Sequence, residues 1–90
     1  MEILTSALYE KQLKEILNLI AQNDLESAKN FKIYLDTIIS NIQTKEQKYK
    51  RSIYFDDENF KDILFQGCTI VFFVDKSNTR YIILGITYKS

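Results

Sequence analysis

The apolar positions of this chain change period once along its length, dividing it into a helical front and a stranded back. From Tyr9, apolar residues recur at Leu13, Ile16, Leu17 and Ile20, steps of four, three, one and three that line one face of a helix. Ser6 precedes them as a candidate N-cap. "AQND" interrupts the pattern, and Asn23 with Glu26 three residues later predicts a capping box that opens a second helix. That helix carries Ala28, Phe31, Leu35, Ile38 and Ile42, with Tyr34 and Ile39 widening its buried stripe. So short a link between two helices predicts an antiparallel hairpin.

Residues 43–51, "QTKEQKYKR", have no apolar period and dense charge, which reads as an exposed connection. "SIYF" suggests a brief extended piece and "DDEN" a turn, because Asp and Asn side chains bond to their own backbone. Residues 60–66, 68–75 and 80–88 are rich in β-branched and aromatic side chains and are separated by Gly67 and by "KSNT", the marks of three strands in an antiparallel meander. Glu2 to Thr5 could add an edge strand. The predicted fold is α+β: an N-terminal helical hairpin packed on an antiparallel β-sheet, order β-α-α-β-β-β, in a single domain spanning residues 1–90.

Composition narrows the chemistry. With 90 residues there is room for one core and no second module. No apolar run approaches the roughly 20 residues of a membrane span, and the first residues lack the pattern of a secretory signal, so the expected location is cytoplasmic with no membrane partner. One cysteine allows no internal disulfide, and the absence of histidine removes the common zinc ligand sets and any histidine base. No cofactor or metal is expected. Formal net charge is zero, yet residues 1–44 are acidic by two and the remainder is basic by two, so an anionic partner would meet the second half.

Several groups have both a chemical and a structural reading. Cys68 could be a nucleophile, but no base or cation stands ready to stabilise its thiolate, and free cysteine commonly packs as a small hydrophobe. Lys45, Lys48, Lys50 and Arg51, interleaved with Tyr49 and Tyr54, could hold phosphates while an aromatic ring stacks on a base, or could keep an exposed connection solvated. Asp56, Asp57 and Glu58 could gather a divalent cation or form a turn. Phe60, Phe65, Phe72, Phe73 and Tyr81 could line a groove for a partner segment; strand alternation sends Phe72 and Phe73 to opposite faces, and the one pointing away from the helices marks the partner side.

The stretch "ALYEKQLKEILNLIAQNDLESAKNFKIYLDTIISNI", followed by "KYKRSIYFDDENFKDILFQGCTIVFFVDKSNTRYIILGIT", resembles the RelE/ParE toxin superfamily of bacterial toxin–antitoxin systems across nearly its whole length. The resemblance rests on the helix pair with Ala28 and Phe31, a basic residue before "FDDENFKDIL", the glycine-led strand "GCTIVFFVD" and the closing "YIILGI". It implies a sheet against an N-terminal helix pair and neutralisation by a cognate antitoxin, with Phe72 and Phe73 as candidate antitoxin contacts. RelE-like members cut messenger RNA on the ribosome with lysines and arginines on the central strands, whereas ParE-like members poison DNA gyrase.

Aligned on the glycine, Phe60 and Asp62 occupy the two lysine positions and Thr69 the strand arginine position, and none of the three supplies positive charge. The resemblance therefore implies a ParE-like toxin that binds and poisons DNA gyrase, with Lys50, Arg51, Arg80, Tyr88 and Lys89 as candidate target contacts. Its enzymatic alternative is a ribosome-dependent messenger-RNA endonuclease with Lys61, Arg80, Tyr88 and Lys89 in a rearranged site. A third reading is a non-toxic relative that only binds an antitoxin.

Overall fold

The computed structural model describes residues 1–88. In chain order it contains β1 (Glu2–Thr5), α1 (Ala7–Asn23), α2 (Leu25–Ser40), the short α3 (Ile42–Lys45), a 3-10 turn (Glu46–Lys48), β2 (Lys50–Arg51), β3 (Phe60–Phe65), β4 (Cys68–Asp75) and β5 (Arg80–Tyr88). The strands form one sheet in the order β1-β5-β4-β3-β2, with the helical hairpin on one face. The α+β architecture and the β-α-α-β-β-β order of the long elements are as the sequence pattern predicts. The meander β3-β4-β5 is antiparallel, as is the β2–β3 pair, but β1 runs parallel to β5, so the sheet is mixed. No tight turn joins β1 to its neighbour, and nothing local forces the antiparallel direction.

Ser6 caps α1, its hydroxyl accepting from the Tyr9 N–H at 3.0 Å. The cap of α2 falls one residue later than the capping-box reading placed it. Helix α1 continues through Asn23, leaving extended Asp24 alone between the helices, and its carboxylate accepts from the Glu26 N–H and the Ser27 hydroxyl at 3.1 and 2.8 Å. Tyr9, Leu13 and Ile16 of α1 and Phe31, Leu35 and Ile39 of α2 share one core with Ile63, Ile70, Phe72, Ile83 and Ile86 of the sheet, and Ala28 of α2 is buried as well. Tyr34, expected to widen the α2 stripe, is 57% exposed; the stripe continues instead through fully buried Ile42 into α3.

The segment expected to be a bare exposed connection is structured. Its lysines Lys45 and Lys48 are exposed, but Tyr49 packs against the core and Glu46 is half-buried. The extended residues lie at Lys50–Arg51, just before "SIYF", which forms a loop with buried Ser52 as its anchor. Ser52 donates its N–H to the Phe60 carbonyl at 2.7 Å, and its hydroxyl accepts from the Tyr54 N–H at 3.1 Å. Gln66 and Gly67, both at positive φ, make the two-residue turn that closes the β3–β4 hairpin at the Phe65–Cys68 pair.

A bulge on β5 ties the helices to the sheet. Phe72 stands opposite Ile83 while Val71 stands opposite Gly85, which leaves Leu84 as an extra residue. The groups this disturbs find partners on the chain around α1. The Ser6 N–H donates to the Ile83 carbonyl at 2.9 Å, the Ser6 hydroxyl donates to the Leu84 carbonyl at 2.7 Å, and the Gln12 side-chain oxygen accepts from the Ile86 N–H at 2.9 Å. A Cβ at Gly85 would sit 2.7 Å from that Gln12 oxygen, so glycine is what lets Gln12 reach Ile86. Gln12→Ala and Gly85→Ala should each lower stability in urea unfolding by about 1–3 kcal/mol, and the second change should add little to the first because both break one hydrogen bond. Fully additive losses would show that Gly85 acts elsewhere.

Candidate functional site

Strand alternation decides which side chains are available to a partner. On β4, Phe72 is fully buried among the helices and meets Tyr49 and Tyr81 edge-on, with ring centroids 5.8 and 6.0 Å apart. Phe72 therefore cannot contact an antitoxin, which corrects the pairing of Phe72 with Phe73 as candidate contacts. Phe73 points the other way. Its ring packs at 4.8 Å on Phe60, and Phe55 from the Ser52-anchored loop stacks on Phe60 at 4.2 Å and 18°.

The same alternation places Phe60, Asp62 and Leu64 of β3 and Thr69, Val71 and Phe73 of β4 on this outer face, opposite the helices. Leu4 and Ile82, paired across β1 and β5, extend it at one side. Leu64 is 80% exposed and Tyr54 and Phe55 are both exposed. A shallow trough of 230 Å³ runs between Tyr54 and Phe55 on one side and Leu8 on the other, with Val71, Leu84 and Gly85 in its floor. The face is apolar and aromatic where an RNA-cutting strand pair would carry cations.

Lys61 faces the helical side, as its position one place out of step requires. Its ammonium donates to the Glu46 carbonyl at 3.1 Å and lies 3.8 Å from the Glu46 carboxylate, which accepts from the Tyr81 hydroxyl at 2.6 Å. Burial, then the hydrogen bond and charge of Glu46, push the Tyr81 phenol up to about 12. Burial likewise raises Tyr49, and burial with the charges of Asp36 and Glu10 raises Tyr9.

The remaining cations are scattered. Lys50 is exposed on β2 opposite Asp62, and exposed Arg51 lies 3.6 Å from Asp56. Arg80 is held in the β4–β5 hairpin, its Nε 3.0 Å from Asp75. The Asn78 side chain and then Arg80 keep the Asp75 carboxyl below its usual range, against an opposing contribution from burial. Tyr88 is 56% exposed at the far end of β5, about 25 Å along the strand from Arg80. Lys61, Arg80 and Tyr88 therefore do not converge, and the rearranged catalytic set is not assembled by this fold; Lys89 lies outside the described residues.

Cys68 is buried at the floor of a 480 Å³ cleft lined by Ile16, Leu19, Phe31 and Tyr88, and burial raises its thiol, which suits a packing residue rather than a nucleophile. Asp57 is spent on a turn, accepting from the Asn59 N–H at 2.8 Å. Phe55, Tyr54, Leu64 and Glu46 are the contributors that periodicity did not single out. The signal for the first two was present in "SIYF", three large apolar residues in a row immediately before a turn.

The fold is similar to that of the conserved hypothetical protein HP0892 from Helicobacter pylori, whose solution structure aligns with a TM-score of 0.61 at 19% sequence identity, covering 98% of this chain and 93% of that one. The likeness is one of fold. No family model matches the sequence, and no curated protein matches it.

Two outcomes follow from the opposed phenylalanines and the Glu46 network. Phe72→Ala should cost about 3–5 kcal/mol in urea unfolding and Phe73→Ala distinctly less, since only the first opens a core cavity; equal costs would contradict the assignment of faces. Because the Tyr81 phenol is raised in the folded state, its contribution to stability is complete below about pH 10 and is lost as pH rises toward about 12. In a tyrosinate absorbance titration Glu46→Gln should lower the Tyr81 midpoint while the chain remains folded.

Proposed function

We propose that this chain is the toxin of a bacterial toxin–antitoxin pair of the RelE/ParE superfamily, ParE-like, acting by binding and poisoning DNA gyrase and restrained by a cognate antitoxin. The observation that supports the reading is the outer sheet face, which Phe60, Asp62 and Thr69 share along the β3–β4 pair; the resemblance aligns these three with positions that RNA-cutting members fill with lysine and arginine. Metal-free cleavage of RNA needs cations to stabilise the charged phosphorane and a group to take the 2′-hydroxyl proton. The one cation on β3 and β4, Lys61, faces away and is engaged by Glu46, and Arg80 at the start of β5 is held by Asp75. Action by binding needs neither group.

In this reading Phe73 and its aromatic neighbours meet the antitoxin. Gyrase is engaged by the exposed side chains at the ends of the sheet, Lys50 and Tyr88 foremost, with Arg51, Arg80 and Lys89 around them. Inducing the chain alone in a bacterium and following incorporation of labelled thymidine and labelled amino acid over the first minutes tests this. DNA synthesis should fall first. An earlier fall in protein synthesis would favour a ribosomal nuclease, and no fall in either would leave a non-toxic antitoxin binder.

A further inference from the structure

We infer that the outer face of the sheet receives an apolar partner segment carrying basic residues, a cationic amphipathic stretch of a protein rather than an acidic one or a nucleic acid. The inference deepens the antitoxin reading, on which it rests, by naming the chemistry of the segment that covers this face.

The apolar half of the argument is the patch itself. Phe55 stacks on Phe60, which meets Phe73 at a tilt, so the three rings form one row of contacts, and Leu64, with four fifths of its surface exposed, stands on the same face. The trough beside them is bounded by Leu8 and floored by Val71 and Leu84. Exposed apolar ground of this kind between a loop and a helix suits a segment that lays one apolar face into it.

The charged half is the rim. Glu2 and the buried Asp75 lie at one end of the face, Asp62 in its middle and Asp56 and Asp57 in the loop directly after Phe55. Among the described residues, Lys50, Arg51 and Arg80 stand against these five carboxylates. Two of the cations are already taken by the same rim, Arg51 by Asp56 and Arg80 by Asp75. Asp62 accepts the Ile53 N–H through one oxygen at 3.1 Å, and its other oxygen is buried without a hydrogen-bond partner, so its charge acts on the face through space rather than by contact. With Arg80 set against Asp75, Arg51 against Asp56 and Lys50 opposite Asp62, Glu2 and Asp57 are left over, so the described rim carries a net negative charge around an aromatic centre, which attracts lysine or arginine flanking apolar anchors and repels a phosphate backbone.

The test uses two synthetic helical peptides of about 16 residues with the same leucine face, one with lysine and the other with glutamate on the polar face. Each is titrated into the isotope-labelled full chain and followed by amide chemical shifts. The lysine peptide should shift Phe60, Asp62, Val71 and Phe73 and bind at least about ten-fold more tightly than the glutamate peptide, with the gap closing near 0.5 M salt. Asp56→Asn with Asp57→Asn, which keeps the turn hydrogen bond to Asn59 available, should narrow the preference several-fold without altering the rest of the spectrum. Equal affinities, shifts confined to the helical side, or an RNA oligomer shifting the same amides would overturn the inference. So would sedimentation as a dimer that hides this face, which would make a second copy its occupant. Binding is read without any toxicity, so growth arrest with no peptide preference sinks this inference alone, and peptide preference without arrest sinks the toxin reading alone.

Discussion

The two-residue period of β4 is the constraint on which the rest of the molecule depends. Phe72 and Phe73 are adjacent, so the backbone must send one ring into the core and the other out of it. A slip of one residue would exchange every inward and outward side chain of the strand. The register is held at one end by the Gln66–Gly67 turn and at the other by Asp75, whose carboxylate gathers Asn78 and Arg80 across the hairpin. What faces inward becomes the floor for the helical hairpin, and what faces outward becomes the open face of the sheet.

The two faces are joined by hydrogen bonds rather than by packing alone. The bulge at Leu84 would leave β5 groups unpaired beside its parallel neighbour, and Ser6 and Gln12 supply the missing partners from the first turns of α1. On the opposite side of the helical layer, Glu46 accepts from Tyr81 and Lys61 and draws the segment after α3 down over the sheet. That contact turns Lys61 into a structural cation. A lysine one residue along the strand in either direction would have stood on the outer face, where charge could act on a ligand.

Most of the fold was legible because the periods are clean: the steps from Tyr9 to Ile20 and from Ala28 to Ile42 admit little but helices, and the aromatic and β-branched runs after Phe60 admit little but strands. The parallel pairing of β1 was not legible, since four residues carry no sign of their neighbour's direction. Nor was the role of Glu46, which lies in a stretch whose charge density signals solvent and whose buried contact, Tyr81, is 35 residues away. The split between Phe72 and Phe73 could be deduced from alternation, but which of them entered the core could not, because both flank apolar residues. The apolar run "SIYF" suggests a strand, and Tyr54 a stacking residue among cations, but Tyr54 and Phe55 belong to the loop that lies on the outer face, a placement set by the distant contact of Phe55 with Phe60.

Plasmid topology most directly tests the proposal that this chain poisons DNA gyrase by binding it rather than cutting RNA. Purified DNA gyrase is given relaxed plasmid and increasing amounts of the chain, and the supercoiled product is resolved on a gel. If the proposal holds, supercoiling stops and broken or relaxed plasmid accumulates as the chain approaches the amount of gyrase. Full supercoiling at every ratio of chain to enzyme would contradict it.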